Sequence, residues 1–296
     1  MRDRFADYHP LVNLLFFALT VTFSMVSMNP VCLLISLFAS GAYSCLPDRG
    51  EHFRRMALWL VPMFLMALLI NPAFNHRGVT ALAYLPTGNI LTLESILYGA
   101  AAGIMVVAVV LWFYSFTRVV TTDKLVYLFG RITPSLGLLL TLTLRFVPRF
   151  TNHYRLLREA QTGLGAAEEK RGFKASVREM AALLSALISW AVENASDAAD
   201  SMRSRGFGTG KRTAFSDCRF TRKDALALAW MLCWSAVTSA GMLGGKMYFR
   251  YYPGIRYAAP DAAGVLSFLA YLLFALTPLL IDLQDTIHWK SIMSKT

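Results

Sequence analysis

Six stretches of the chain run without a single Asp, Glu, Lys or Arg: 11–28, 30–46, 56–70, 95–117, 225–243 and 262–281. A helix needs about 20 apolar residues to cross the hydrocarbon of a bilayer, and about 17 suffice. Five stretches reach that length, and 56–70 does so once Asn71 and Pro72 extend it. The pattern predicts six membrane-spanning helices. Arg2 and Arg4 ahead of the first stretch imitate a signal peptide, but no small-x-small cleavage site follows Met28 and a second apolar stretch begins at Pro30. The first helix is therefore expected to be retained. Between the third and fourth spans, 71–94 holds two β-leaning stretches around the turn-forming Pro86-Thr87-Gly88-Asn89, which fits either a small hairpin or an irregular loop.

The periodicity changes after the fourth span. Residues 174–204 contain no Gly or Pro and are rich in Ala, and apolar or small residues recur at Val177, Met180, Leu184, Leu187, Ala191, Ala195, Ala198 and Met202. Those steps of three and four trace one face of a continuous helix, about 45 Å long at 1.5 Å per residue. Small residues at Ala182, Ser185, Ala186 and Ser189 would let a second helix cross closely at its middle, or in an Ala-rich helix reflect only high propensity. A shorter helix over about 149–162 precedes it, and Gly163, Gly165 and Gly172 punctuate the connection. Before that, 134–148 is apolar, bounded by Pro134 and Pro148, and contains Arg145. It is expected to lie along the inner interface as a short helix, because spanning would carry the basic residues that follow to the outside. The expected fold is an all-α membrane protein, with spans one to four in 1–131, a cytoplasmic helical module in 132–223, and spans five and six with a cytoplasmic tail in 224–296.

Composition supports the membrane assignment and locates the charge. Of 296 residues 56% are hydrophobic and 16% charged, and mean hydropathy is +0.47, which excludes an ordinary soluble surface. The net charge of +11 could suggest nucleic acid, but 145–223 alone hold 15 Lys and Arg against 8 Asp and Glu. With the N-terminus inside, only Arg77, Lys246, Arg250 and Arg256 of the 29 basic residues fall outside. This asymmetry is that of a topology with both termini cytoplasmic, so no nucleic-acid partner is needed to explain the charge.

The chemistry of sites is thin. Cys32, Cys45, Cys218 and Cys233 form no C-x-x-C pair, and His9, His52, His76, His153 and His288 are scattered singly, so packing roles are expected for the cysteines and hydrated or interfacial roles for the histidines, rather than a metal site. Residues 205–212, RGFGTGKR, imitate a phosphate-binding loop, but Arg205 and Arg212 stand where Gly and Ser or Thr are required and the segment follows a helix. Asn194-Ala195-Ser196 matches a glycosylation triplet inside the expected cytoplasmic helix and is set aside. No carboxylate, His or Lys lies within the six stretches to carry a coupling ion, so work must come from a partner.

The long helix ends Ser204-Arg205-Gly206. Gly206 suits the left-handed conformation just past a last turn, and Arg205 sits where unpaired carbonyls favour a cation and where its guanidinium can fork onto a partner's carboxylate. Routine capping and a docking site both fit that spacing. Glu159-Ala160 with Gly165 six residues after the Glu resembles the start of the coupling loop of conventional ATP-driven importer permeases, but the expected I-x-L-P is absent, since 175–178 reads Ala-Ser-Val-Arg.

His9-Pro10, Asn71-Pro72, LRFVPRF at 144–150, the two-helix insert and ADSMRSRGFG at 199–208 together resemble the transmembrane T component of energy-coupling factor (ECF) transporters, the CbiQ- and EcfT-like proteins. The family's second coupling helix ends in an Ala-Arg-Gly type motif, which corresponds here to Ser204-Arg205-Gly206. Its first coupling helix should end similarly. By position that triplet is Gly163-Leu164-Gly165, without the Arg, and Lys170-Arg171-Gly172 could substitute. The resemblance implies that Ser204, Arg205, Gly206, Leu164, Gly165, Arg171 and Gly172 dock two cytoplasmic ABC-type ATPase subunits, while the spans hold a separate membrane-embedded substrate-binding S component. It implies a scaffold without catalytic residues or cofactor in a prokaryotic cytoplasmic membrane, coupling ATP hydrolysis in the partners to uptake of a vitamin or similar micronutrient. A conventional importer permease, or a membrane-anchored interaction protein without transport, are the alternatives.

Overall fold

The computed structural model describes residues 4–46, 51–75, 78–84, 90–163, 172–210, 220–259 and 261–284. After a 3-10 turn at Phe5–Asp7, the chain forms α1 (Pro10–Val26), α2 (Pro30–Cys45) and α3 (Glu51–Phe74). A hairpin of β1 (Ala81–Tyr84) and β2 (Ile90–Thr92) leads into α4 (Leu93–Val119), followed by α5 (Thr122–Ile132), α6 (Pro134–Gly163) and α7 (Phe173–Ser204). Next come α8 (Arg222–Leu243), the short pair β3 (Phe249–Arg250) and β4 (Arg256–Tyr257), and α9 (Ala262–Ala275), which continues after a 55° bend as Thr277–Gln284.

The fold is all-α and membrane-spanning, as the hydropathy pattern predicts. Each of the six stretches is helical, but they differ in reach. Arg54–Phe74, Leu93–Val119 and Arg222–Leu243 are each long and apolar enough to cross, and the bent α9 pair makes a fourth candidate. With 17 and 16 residues, α1 and α2 are about 25 Å long, short of a hydrocarbon core of about 30 Å. The cause lies at their junction, where Asn29 precedes Pro30 and is pushed to extended backbone (ψ 127°). Both helices start alike, with Pro in the first turn and a side chain capping it: His9 Nδ1 accepts from Leu11 N at 3.2 Å and Asn29 Oδ1 from Val31 N at 3.0 Å.

The chain divides into two compact units, 1–125 with 218–296, and 126–217. In the first, an aromatic core joins the N-terminal turn to α1, α4 and α9: the Phe16 ring lies 5.2 Å from Phe5, 5.8 Å from Trp112 and 5.4 Å from Phe274. Beside it runs a buried polar chain that no sequence pattern announced. Trp112 Nε1 donates to Ser36 Oγ at 3.0 Å, Ser36 pairs with Ser24 at 2.7 Å, and Ser24 meets the Tyr271 hydroxyl at 3.2 Å, so one network ties α1, α2, α4 and α9. Hydrogen bonds of this kind hold helices together where lipid offers no hydrophobic drive.

One backbone seam and two buried carboxylates complete the unit. A Cβ on Gly99 would stand 3.0 Å from Leu68 O, and one on Gly103 would stand 2.7 Å from the Phe64 ring, so α4 presents bare backbone to α3. The hairpin before α4 is the small one allowed by the sequence, with Ala81 opposite Thr92 and Tyr84 opposite Ile90, while Pro86-Thr87-Gly88-Asn89 lies outside the described residues. Glu94, 3% exposed, accepts from Thr80 N at 3.2 Å and from Thr80 Oγ1 at 2.6 Å, which fastens the hairpin to the first turn of α4. At the start of α8 Asp224, 4% exposed, closes a capping box with Thr221 and also accepts from His9 N at 2.8 Å. The apolar stretches begin one residue after these two carboxylates, and both sit at helix N-termini, where the dipole and the donors fix a negative charge. His9, expected in a hydrated or interfacial role, caps the start of α1 and is buried, its ring 5.3 Å from that of Phe220.

In the second unit the expected break at Pro148 does not occur. Residues 134–148 and 149–162 belong to one helix, α6, with Pro148 in its interior. An interior proline costs about 3 kcal/mol. Packing on both sides of it offsets the loss: Phe146 lies 6.0 Å from Phe150, and the Phe150 ring sits 5.7 Å from Trp190 of α7. The short helix of the region is α5 instead, a separate element that the hydropathy pattern does not predict. Across α6 and α7, His153 stacks on Trp190 at 4.0 Å and 12°, and Leu183 is buried. The crossing thus uses the Trp190 ring, whereas Ala182, Ser185, Ala186 and Ser189 are exposed. These small residues therefore make no close approach to α6.

Candidate docking site

The long helix ends as its residues require. Ser201 to Ser204 complete the last turn, Arg205 is the C-cap, and Gly206 takes φ +78°, a conformation that disfavours any side chain. Gly206 N donates to Arg203 O at 3.0 Å and Phe207 N to Met202 O at 3.0 Å, the paired closing bonds of a Schellman motif. Ser204 Oγ turns back onto Ser201 O at 2.9 Å. A second turn follows at once: Thr209 Oγ1 donates to Gly206 O at 2.7 Å, and Gly208 is also left-handed at φ +94°. Carbonyls that would otherwise be orphaned are satisfied locally, so the Arg205 side chain is not consumed in capping.

Ser204, Arg205, Gly206 and Phe207 are all exposed. Arg203 and Arg205 place two guanidinium groups in the final turn, where the helix dipole favours cations. The structure therefore presents a rigid, basic, solvent-facing tip on a helix of 32 residues, about 48 Å long. Chemically it can bind a carboxylate bidentately, and among the described residues no three His, Cys, Asp or Glu side chains gather as a metal site.

The other expected anchors lie elsewhere. Gly172 is the N-cap of α7, at φ −62° and ψ 162°, with its carbonyl accepting from Ser176 N at 3.3 Å. It thus starts the second long helix and stands a full helix length from Arg205, and it lacks the left-handed geometry of Gly206. Leu164, Gly165 and Arg171 lie outside the described residues. Gly163 ends α6, with Thr162 Oγ1 bonded to Arg158 O at 2.8 Å. Sequence reasoning missed the second turn at the α7 tip, although the alternation Gly206-Phe207-Gly208-Thr209-Gly210 signalled it.

Beyond the tip, α7 carries an exposed apolar stripe at Phe173, Val177, Met180, Leu184, Ile188 and Val192, each more than half exposed. Part of this stripe is the face read from the sequence. It points away from the residues that meet α6, so it is a surface rather than a core.

A family model described as cobalt transport protein, CbiQ, matches residues 6–215, from the N-terminal turn through α7 and its glycine-rich tip. The chain belongs to the CbiQ family. CbiQ proteins are the T components of ECF transporters, which makes this chain a transport-related membrane component. Among curated proteins, the uncharacterized protein MG181 of Mycoplasma genitalium is 29% identical over 99 residues. That alignment covers 33% of this CbiQ-family chain and 24% of the Mycoplasma protein.

Proposed function

We propose that the chain is the membrane scaffold and coupling subunit of an ECF-type ABC importer. Two cytoplasmic ATPase subunits grip the ends of the coupling helices, and nucleotide-driven movement of those ends reorients a membrane-embedded S component that carries the substrate. The observation that carries this reading is the α7 tip, where Ser204-Arg205-Gly206 closes a long helix while leaving a guanidinium facing solvent. The apolar stripe from Phe173 to Val192 is the surface on which we place the S component.

Topology supports the same arrangement. Arg4 N donates to Asp282 Oδ1 at 3.0 Å, so the two ends of the described chain lie side by side, as an even number of crossings requires. The excess of Lys and Arg in 145–223 supports a cytoplasmic location for that stretch. Hydrolysis belongs to the ATPases, and this chain transmits force. The substrate is a micronutrient, and the description of the family makes cobalt the first to test.

Co-expression of the tagged full chain with an ATPase pair, purification in mild detergent and identification of the retained subunits test the proposal. Both ATPases are expected at one copy each per chain. A folded, monodisperse chain that retains neither would remove the coupling role.

A further inference from the structure

Where α5 turns into α6, two backbones touch. The last turn of α5 closes with Thr133 N on Phe129 O at 2.9 Å, and α6 opens immediately with Gly137 N on Thr133 O at 3.1 Å. Only Thr133 separates the two helices, and Pro134 fixes the first residue of α6. Four residues into α6, Gly137 faces Gly130 of α5. A Cβ on Gly137 would overlap the Gly130 Cα and come within 3.2 Å of Gly130 N, whereas a Cβ on Gly130 would sit at an ordinary 3.5 Å from the Gly137 Cα. Below the corner, then, one side of the contact has no room even for a methyl group and the other does.

A hydrogen-bonded corner alone fixes where two helices meet but leaves the angle between them soft. Backbone contact about 6 Å from the corner supplies a second point, and two points define the angle. We propose that Gly130 and Gly137 form a steric stop that locks α5 and α6 into one angular piece, so that the pair turns together rather than flexing at Thr133. The significance of that stiffness rests on the coupling role proposed above. Each ångström of opening at Gly137 becomes about 7 Å at Gly163, about 45 Å from the corner, so a soft angle would dissipate motion before it reached a partner. A tight glycine pair is the cheapest stop, because backbone atoms cannot rotate away as a side chain does.

The asymmetry of the contact gives the test. Spin labels are placed at Val126→Cys and Arg158→Cys on a background lacking the four native cysteines, in the full chain in lipid nanodiscs, and the distance distribution is measured by pulsed electron resonance. The unsubstituted pair is expected to show one narrow population. Gly137→Ala is expected to shift its mean by about 1–2 Å for each ångström of opening, and Gly130→Ala to leave it unmoved. A broad distribution without either substitution, or an equal response to both, would overturn the stop, and the first of these needs no variant to fold. In complexes with ATPases, the distance is expected to stay constant between nucleotide-free and ATP–vanadate-trapped states. A nucleotide-dependent shift would show a working hinge and overturn the rigid piece. Failure of any ATPase to bind would instead sink the coupling role and leave the label distances in force.

Discussion

Arg205→Glu is the substitution on which the docking tip stands or falls. Within the chain its effect is small: Arg205 is exposed, its backbone N–H bonds Ser201 O at 3.3 Å, and Gly206 rather than the guanidinium closes the helix. Placing an anion beside the last carbonyls costs about 0.3–1 kcal/mol at such a surface. On docking the guanidinium loses water against a carboxylate, and reversing its sign then sets two like charges face to face, an effect of about 2–5 kcal/mol. At about 1.4 kcal/mol per decade, the ATPase Kd should rise by about 30-fold to about 4,000-fold. Arg205→Lys keeps the charge and loses the fork, so it should fall between the wild type and the reversal. The assay is titration of purified ATPase onto the chain in nanodiscs, with thermal unfolding run alongside. A Kd for Arg205→Glu within threefold of the wild type, at unchanged Tm, would refute the assignment of Arg205 to docking.

Further outcomes follow from the same structure. Ala186→Pro interrupts α7 at an exposed position and costs about 3 kcal/mol locally; ATPases should still co-purify while ATP-driven uptake falls, and undiminished uptake would count against a stiff lever. Ser36→Ala strips Trp112 Nε1 of its acceptor in the buried chain of hydroxyls, which should destabilise by about 1–3 kcal/mol, and adding Trp112→Phe should recover part of that in a double-mutant cycle followed by thermal unfolding. Glu94→Ala releases both Thr80 N and Thr80 Oγ1, so proteolysis within 78–92 should quicken at least tenfold while the helices stay protected.

What the sequence revealed and what it hid divide along physical lines. Helix α7 was legible to within one residue of its start because its apolar steps, its freedom from Gly and Pro, and its terminal Arg-Gly are all local signals. The tip was legible for the same reason, since a Schellman closure needs only Gly206 and the turn before it. Helix α6 was not, because Pro148 reads locally as a stop and is overruled by Phe150 on Trp190, a contact 40 residues apart in the chain. The network of Ser24, Ser36, Trp112 and Tyr271 was invisible for a related reason: a lone serine in an apolar stretch is indistinguishable from a small packing residue until the helices that flank it are placed. Glu94 and Asp224 stood in plain view at the edges of two apolar stretches, but only the folded chain shows that each fastens a distant segment.

The glycine seam between α3 and α4 makes the third helix a detachable plank. Elsewhere its surface is open to whatever surrounds it, with Leu58, Trp59, Leu69 and Phe74 largely uncovered, so single changes there should pass unnoticed. At Gly99 or Gly103 the smallest possible addition would instead shift a whole helix sideways, leaving the network around Ser36 on the other helices untouched. Tolerance and fragility would thus sit back to back on one pair of rods, and a random library of α3 and α4 should sort them within a single selection.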